Sequence, residues 1–484
     1  MASAPLPERI PFRTKLFYGV GSIAEGTKVT AFNVFLLFYY NQVLGVSGTL
    51  SGIAIFIALC VDAVTDPLVG SLSDNFHSRW GRRHLFMYSA ALPMALCFFV
   101  LFNPPSSLGQ TGLFLWLTVW AIGVRVAMAF YLVPSGAMLP ELTSNYDERT
   151  SLVSYRYLCG WMGGLVTAQM GYLYFFAPSA QFADGRLNPR AYSLFAFACA
   201  IIVAAAILTS SAGTHHLIAH MRTPSQPTPF SLRRLLQELR EALGNYSYLM
   251  LICASLFTAA SAGFQDVMSL YVGTYFWGLT TGQIAVLVYA YMIATLIASV
   301  FVHSLTQRFD KKTTVIGLAL FASVAGPLPI FLRLLGAMPA NGTPLLLLLL
   351  FLHILVIVAI IIMVQIIFAS MLADTVDEHE LLTGKRQEGI FLSALSFTGK
   401  ATSGLGGLLA GVALDIISFP KGAAIGTVPA GTILKLGFVV GPGLMGLHLL
   451  SLLFVSRYRI TREYHQQVRA QLAQRSQNAA ATTS

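Results

Sequence analysis

The sequence predicts an all-α integral membrane protein of about twelve transmembrane helices, arranged as two six-helix halves. Three observations carry that prediction. The 484 residues are 56% hydrophobic and 10% charged, with a mean hydropathy of +0.69, far more apolar than a soluble core of this length requires. Apolar stretches of roughly eighteen residues or more, enough for a helix to cross the hydrocarbon, recur from end to end. A polar interval at residues 213–245 splits the series in the middle.

In hydrocarbon each segment must satisfy its own backbone polar groups, so these runs are helices; strand-type alternation over about ten residues is absent. Bounded by Gly, Pro, Asn and charged residues, the first six fall at 15–43, 49–73, 84–103, 111–139, 151–177 and 191–212. The second six fall at 246–275, 282–305, 312–335, 343–372, 389–418 and 431–456. The chain therefore divides into a first bundle over 1–212, a linker over 213–245, a second bundle over 246–456 and a tail over 457–484. The linker is Pro-rich and then amphipathic, with Leu232, Leu235, Leu236 and Leu239 on one face. Such a helix suits the membrane surface or the side of the bundle. Met1 to Lys15 is polar with three prolines, and the run that follows is too long for a signal-peptide core, so no cleavable signal is expected.

The net charge of +10 would suggest nucleic acid or another anionic partner on a soluble protein. Its distribution gives a topological account instead. Loops on the side of the termini hold Arg79, Arg82, Arg83, Lys311, Lys312, Lys385 and Arg386 among others, while the opposite loops hold only Arg186, Arg190, Arg333, Lys421 and Lys435. By the positive-inside rule both termini face the cytoplasm, and no nucleic-acid partner is implied. The five cysteines, Cys60, Cys97, Cys159, Cys199 and Cys253, lie in apolar segments without metal-ligand spacing and are expected as buried free thiols.

Few charges remain inside the predicted spans: Glu25, Lys28, Asp62, Asp66, Arg125, Arg156, Asp266 and Lys400. Each costs roughly 2.5–3.5 kcal/mol near the bilayer centre on insertion scales, so each needs a partner or a purpose. Asp62 and Asp66 are one helical turn apart on one face. Two carboxylates that close repel, which favours a retained proton or a cation held between them. Pro67 has no N–H for the carbonyl of Ala63, leaving a hard oxygen beside the pair. The alternative is a structural ion pair with Lys400 or Arg156. Asp74, with Arg79, Arg82 and Arg83 behind it, reads as a latch at the cytoplasmic end or as a plain loop cluster. The acidic and basic turn from Gly70 to Arg83 has a counterpart in TQRFDKK, residues 306–312, at the same place in the second half.

The run of Asp62, Ala63, Asp66, Pro67, Gly70, Asp74, Arg79, Trp80 and Gly81 resembles the second helix and following loop of the glycoside-pentoside-hexuronide:cation symporters of the major facilitator superfamily. KLFYGVGS (15–22), FLLFYYNQVLGVS (35–47), VPSGAMLPEL (133–142) and LADTVDEHELLTGKRQEGI (372–390) resemble further segments of that family, so the likeness spans nearly the whole chain. It implies a major facilitator fold and cation-coupled transport rather than enzyme chemistry. Asp62 and Asp66 then match the coupling-cation carboxylates, with Thr65 where the family has an asparagine ligand. Lys400 and Arg156 match charged residues near the cavity. Gly70, Asp74, Arg79, Gly81, Arg82 and Arg83 fall at the cytoplasmic gate. No cofactor and no metal beyond Na⁺ at Asp62 and Asp66 is implied; the coupling ion is H⁺ or Na⁺.

The cargo side departs from the family. Its sugar-binding carboxylates fall here at Gly26 and Leu132, and a tryptophan place falls at Gly136. Glu25 stands one residue away, rotated about 100° around the helix. Candidate substrate contacts are Glu25, Lys28, Arg125, Gln265 and Asp266, the last two followed by Tyr271, Tyr275 and Trp277. These suit a sugar held by hydrogen bonds and ring stacking, or an amphiphile's polar end; equally, Asp266 answers Lys28 or Arg125. The expected function is symport of a sugar or glycoside by a monomer in the bilayer, with a lysolipid as the alternative cargo. Enzyme motifs such as Gly-x-Ser-x-Gly or a two-histidine zinc pattern are absent.

Overall fold

The computed structural model describes residues 10–76, 78, 80–143, 145–220, 240, 243–384 and 388–483. Helix α1 is one broken span, Phe12–Val20 and Ser22–Thr30, that widens into π-helical turns at Ala31–Leu36 and Tyr39–Val43. Then come α2 (Gly48–Asn75), α3 (His84–Leu101), α4 (Gln110–Leu142), α5 (Tyr146–Met170, closing in a π turn at Gly171–Phe175) and α6 (Pro189–Thr214). The second series is α7 (Tyr246–Tyr271, closing in a π turn at Val272–Phe276), α8 (Thr281–Arg308), α9 (Lys311–Ala325 with Leu328–Leu334), α10 (Pro344–Thr383) and α11 (Glu388–Ile416). It ends with α12, which runs from Ala430–Phe438 through Val439–Gly443 to Leu444–Val455, and a terminal α13 (Arg462–Thr483).

Short polar residues set the helix starts. Ser47 Oγ accepts from Leu50 N at 3.3 Å to open α2, and Asn245 Oδ1 accepts from Tyr248 N at 2.9 Å to open α7. Thr280 and Gln283 cap α8 reciprocally, and Asp310 Oδ1 takes Lys312 N at 2.9 Å to start α9. Each satisfies N–H groups that a first turn leaves orphaned. Gly384, at φ +72°, ends α10 in the left-handed conformation that glycine adopts without a Cβ penalty.

By length and composition, nine helices among the described residues can cross a membrane. Helices α1, α5 and α11 pack among them in an all-α bundle. In the first half α1 lies against α5 and α6, α2 against α4, and α3 against α4 and α6. The second half repeats every one of these pairings six helices later: α7 with α11 and α12, α8 with α10, α9 with α10 and α12. The halves meet where α2 crosses α11 and, by the same symmetry, where α8 meets α5. Inverted or parallel repeats of this kind are how transporter folds place a site between their halves.

Close crossings depend on glycine. A Cβ at Gly26 would lie 1.9 Å from the Gly160 carbonyl oxygen, so α1 and α5 touch backbone to backbone. A Cβ at Gly411 would lie 2.1 Å from Gly48 O, which brings α11 equally close to α2. With no hydrophobic force between helices in lipid, such small-residue contacts supply the packing.

The tail at 457–484 carries a helix: α13 occupies most of it and docks on α10 and on the α8–α9 turn through hydrogen bonds of Arg462 and His465. Two sequence expectations change or fall away. Of the cysteines, all are free but only Cys199 is buried, and Cys60 is exposed on the outside of the bundle, where lipid takes the place of core. The amphipathic segment Leu232 to Leu239 lies outside the described residues.

Gly26→Val should cost about 1–3 kcal/mol through forced separation of α1 from α5, read as a lower thermal midpoint in detergent. Gly317→Ala, in α9 with nothing within 4 Å of the new Cβ, should leave the midpoint unchanged or raise it. Equal midpoints for the two variants would contradict the close crossing.

Candidate functional site

The end of the bundle that carries both described chain ends, near Ile10 and α13, is called the near end here, and the opposite one the far end. Halfway between them, α2 presents Asp62 to α4. Arg125 Nη1 donates to Asp62 Oδ2 at 3.3 Å, and both residues are buried, at 7% and 5% exposure. The guanidinium also lies over the Phe32 ring of α1, 5.5 Å from its centroid. Among the described residues Arg125, and not Arg156, makes the ionic contact with Asp62, and it is held by Asp62 rather than by Asp266. Its Nε is buried without an acceptor among the described residues.

Asp66, one turn further along α2, is half-buried. Thr65 Oγ1 donates to Val61 O at 2.8 Å. The same threonine borders an apolar groove with Phe56, Ile57, Cys60, Val61 and Val64. Lys400 falls within α11, the helix that crosses α2, but its side chain lies outside the described residues.

Arg156 occupies a second polar centre, on α5. Its Nη1 donates to Tyr18 Oη at 3.2 Å with the guanidinium 5.4 Å from that ring's centroid, and Tyr18 Oη donates onward to Ser135 O at 3.1 Å. Glu25 is near enough for its charge to act on Arg156. The absent side chain of Gly136 leaves Arg156 Nη1 3.5 Å from where a Cβ would stand. Glu25 and Lys28 are both half-buried on α1.

Between the halves at mid-depth, Asn33 Nδ2 of α1 donates to Asp266 Oδ2 of α7 at 3.1 Å. Asp266 and the adjacent Gln265 are exposed, although they sit well inside α7. Asp266 answers Asn33 rather than Arg125. The three rings after it do not form an open platform. Tyr271, Tyr275 and Trp277 are all buried, with Tyr271 Oη donating to Asn41 Oδ1 at 2.9 Å and Tyr275 Oη to Gln42 Oε1 at 3.2 Å.

These tyrosines belong to a larger closure at the far end. Asp415, at the end of α11, accepts from Ser47 Oγ at 2.7 Å, Gly48 N at 3.0 Å and Thr49 N at 2.8 Å. One carboxylate of the second half therefore caps the N-terminus of α2 in the first, where the helix dipole favours negative charge. Arg186, 1% exposed, reaches across from the α5–α6 loop to Thr274 Oγ1 at 2.7 Å and Leu279 O at 3.1 Å. Gln169 Nε2 donates to Ala285 O at 3.0 Å.

At the near end, the ionic contacts seen among the described residues tie each half to itself. Arg83 Nη2 meets Asp74 Oδ1 at 3.0 Å and Glu141 Oε1 at 3.1 Å, Arg82 also pairs with Glu141, and Arg83 donates to Ala137 O. Gly81, at φ +75°, makes the turn that brings these arginines back toward α4. Gly70 faces Val133 of α4 across ordinary contact distance, and Arg79 lies outside the described residues. The second half repeats the device: Lys311 Nζ binds Asp374 of α10 at 2.7 Å, where Arg82 and Arg83 bind Glu141 of α4. The counterpart turns seen in the sequence thus have counterpart anchors.

The MFS/sugar transport protein family model matches residues 17–462, nearly the whole chain. The chain belongs to that family. Several of its relatives are symporters, among them a putative glycoside/cation symporter of Escherichia coli that is 23% identical over 94% of this chain and 93% of its own length. An uncharacterized symporter of Synechocystis sp. is 26% identical, covering 99% of both chains. The isoprimeverose transporter of Lactiplantibacillus pentosus is 24% identical over 84% of this chain and 80% of its own length, and the glucuronide carrier protein homolog of Escherichia coli 26% identical over 85% of each. Among solved structures, the inward open xylose transporter XylE from E. coli has a TM-score of 0.59 at 14% identity, covering 94% of this chain and 98% of that one. The nucleoside transporter NupG has a TM-score of 0.57 at 14% identity, covering 92% and 99%. These establish a major facilitator fold, and the likeness throughout is to transporters rather than enzymes.

Against the family pattern, the position of the first-helix carboxylate is informative. Position 26 faces α5 backbone, where no side chain fits, and Leu132 packs against the apolar core. Glu25 is the α1 carboxylate beside Arg156. Sequence reasoning misses Asp415 and Glu141. Glu141 had a signal, as an acidic residue ending VPSGAMLPEL opposite loop arginines; Asp415 had one as a carboxylate inside the predicted run 389–418, but what it caps is visible only once α11 crosses α2.

Asp415→Ala should weaken far-end closure by about 0.5–2 kcal/mol, the value of a helix cap. In a background without native cysteines, Gln265→Cys should then react several-fold faster with an impermeant maleimide added from the far side. An unchanged rate would remove Asp415 from the closure.

Proposed function

We propose that the chain is a cation-coupled symporter of a sugar or glycoside, with both termini in the cytoplasm. The observation that carries this is the place of the carboxylates: Asp62 and Asp66 stand on α2, the helix through which the first half touches α11 of the second. A change in their charge acts on the interface that must open and close. Discharging a buried carboxylate by an arriving cation removes a like-charge repulsion in a medium where it is strong. Coupling is then the difference in affinity for cation and cargo between two facing states.

With the termini in the cytoplasm, as the basic loops favour, the far end is extracytoplasmic. The closure by Asp415, Tyr271, Tyr275 and Arg186 then belongs to a state facing inward, and the exposure of Gln265 and Asp266 fits a cavity open to the cytoplasm. Asn33, Asp266, Gln265, Glu25 and Arg156 supply acceptors and donors of the kind that hold sugar hydroxyls, with Lys28 beside them on α1. Bond-making with hydroxyls, rather than bulk apolar area, suits a sugar over an amphiphile. Asp74, Arg82 and Arg83, braced on Glu141, with Gly70 and Gly81 shaping their loop, form the first half's side of the cytoplasmic gate. The chain works as a monomer, since one chain holds both halves of the pathway.

Right-side-out membrane vesicles offered a panel of glycosides and pentosides, with lysolipids as the competing class, test this reading. An imposed cation gradient should drive accumulation of a glycoside, and Asp66→Asn should reduce that accumulation at least about tenfold, the effect of roughly 1.4 kcal/mol of lost coupling. Undiminished gradient-driven uptake in Asp66→Asn would remove Asp66 from coupling, and uptake of lysolipid alone would replace the cargo.

A further inference from the structure

The two halves repeat with a fixed register of 233 positions between α1 and α7. Gly45 and Gly278, that far apart, both turn the chain at positive φ, +73° and +61°, and Ser47 and Thr280 both cap the helix that follows. Three more pairs at this separation touch each other. They are Asn33 with Asp266, Phe38 with Tyr271, whose ring centroids are 5.1 Å apart, and Gln42 with Tyr275 at 3.2 Å. Residues related by a two-fold repeat meet only beside the axis that relates the halves. These pairs therefore mark that axis from mid-depth to the far end.

The column is closed toward the far end and parted toward the near end. Phe38, Tyr271, Gln42 and Tyr275 are buried, whereas Asp266 is exposed. Val29 and Ala262, the pair one turn nearer the near end, are both exposed. The contact of Asn33 with Asp266 is thus the innermost rung of the closed seam and the end wall of the cavity between the halves. Transporter folds hold their cargo at this interface of repeats. Asn33 also lies in the π-helical turn Ala31–Leu36, a distortion that recurs at functional sites.

A charge inside a span is costly and needs a purpose. Among the described residues the one hydrogen-bond donor to the Asp266 carboxylate is a neutral amide, Asn33 Nδ2, which takes Oδ2. That leaves Oδ1, an atom that only accepts, for a donor from elsewhere. The adjacent Gln265 is exposed, and Tyr291 of α8, 40% exposed, is near enough for the charge of Asp266 to act on it. A ligand held here touches both halves and stays within reach of both as they rock.

On the sugar-symport reading above, we infer that Asp266 is the specificity-determining carboxylate of the cargo site. Its Oδ1 accepts a hydrogen bond from one ring hydroxyl of a glycoside, and Asn33 is the positioning residue that holds the carboxylate by Oδ2. The second half thereby supplies the carboxylate that the first half lacks at Gly26 and Leu132.

The test is calorimetric titration of the purified full chain in detergent with methyl glucosides and methyl xylosides, each beside its analogues lacking one ring hydroxyl. In wild type one analogue should bind at least about tenfold more weakly than its parent, because a hydrogen bond to a charged acceptor is lost. Asp266→Ala should bind the parent only as well as wild type binds that analogue and should no longer tell the two apart. Discrimination at the other hydroxyls should persist. Where Asp266→Ala does not fold, Asp266→Asn takes its place, with discrimination at that hydroxyl reduced several-fold by the weaker neutral acceptor. Undiminished discrimination at every hydroxyl in the variant overturns the inference and leaves sugar transport intact. So does a variant that binds both compounds far more weakly than wild type binds the analogue, the mark of a structural role. Binding of none of these glycosides by wild type also overturns it; the sugar reading falls as well only if vesicles accumulate no glycoside.

Discussion

A charge inside hydrocarbon must be answered, and the buried pair of Asp62 and Arg125 is the place where this constraint shapes the molecule. Replacing either member alone leaves a buried charge worth about 3–5 kcal/mol of destabilisation. The pair therefore ties α2 to α4 within the first half. The same α2 crosses α11 through Gly48 and Gly411, close enough that neither position admits a side chain. Electrostatics inside one half and steric contact between halves thus meet on one helix. That is a sufficient physical basis for a charge change on α2 to be felt as a change in how the halves sit.

The distribution of polar contacts along the pathway follows a consistent logic. The far end is held by bonds that cross the halves: Asp415 on the first turn of α2, Tyr271 and Tyr275 on Asn41 and Gln42, Arg186 on Thr274. The near end is braced within halves, by Arg83 on Asp74 and Glu141 and by Lys311 on Asp374. Rigid halves with a breakable seam are what rocking about a central site requires. Among the described residues the seam is built from neutral hydrogen bonds, the charged donors of Arg186 and one helix cap, none of them a large barrier by itself. Bonds of that size let the closed arrangement yield to a ligand's differential binding energy.

The twelve spans were legible because hydropathy along the chain is a local property, and each predicted run coincides with an observed helix. Asp62 and Asp66 were visible through their spacing, which needs only helix geometry. Which residue answers which charge was not legible. Arg125 lies 63 positions from Asp62, and Asp415 lies 366 to 368 positions from the groups it caps; both contacts exist only once helices cross. The missing carboxylate at Gly26 shows the limit from the other side. Aligned by motif it reads as a lost sugar ligand, whereas in three dimensions it is the point where α1 must touch α5.

Cation-coupled transport by this chain moves charge across the membrane whenever a neutral sugar accompanies the ion. Substrate-evoked current from proteoliposomes on a solid-supported membrane reads that movement directly. With the glycoside identified from the uptake panel, a transient of translocated positive charge should appear, grow with an inward gradient of the coupling cation and fall in Asp66→Asn. Sugar uptake by the same proteoliposomes with no accompanying charge movement at any proton or sodium gradient would contradict the account.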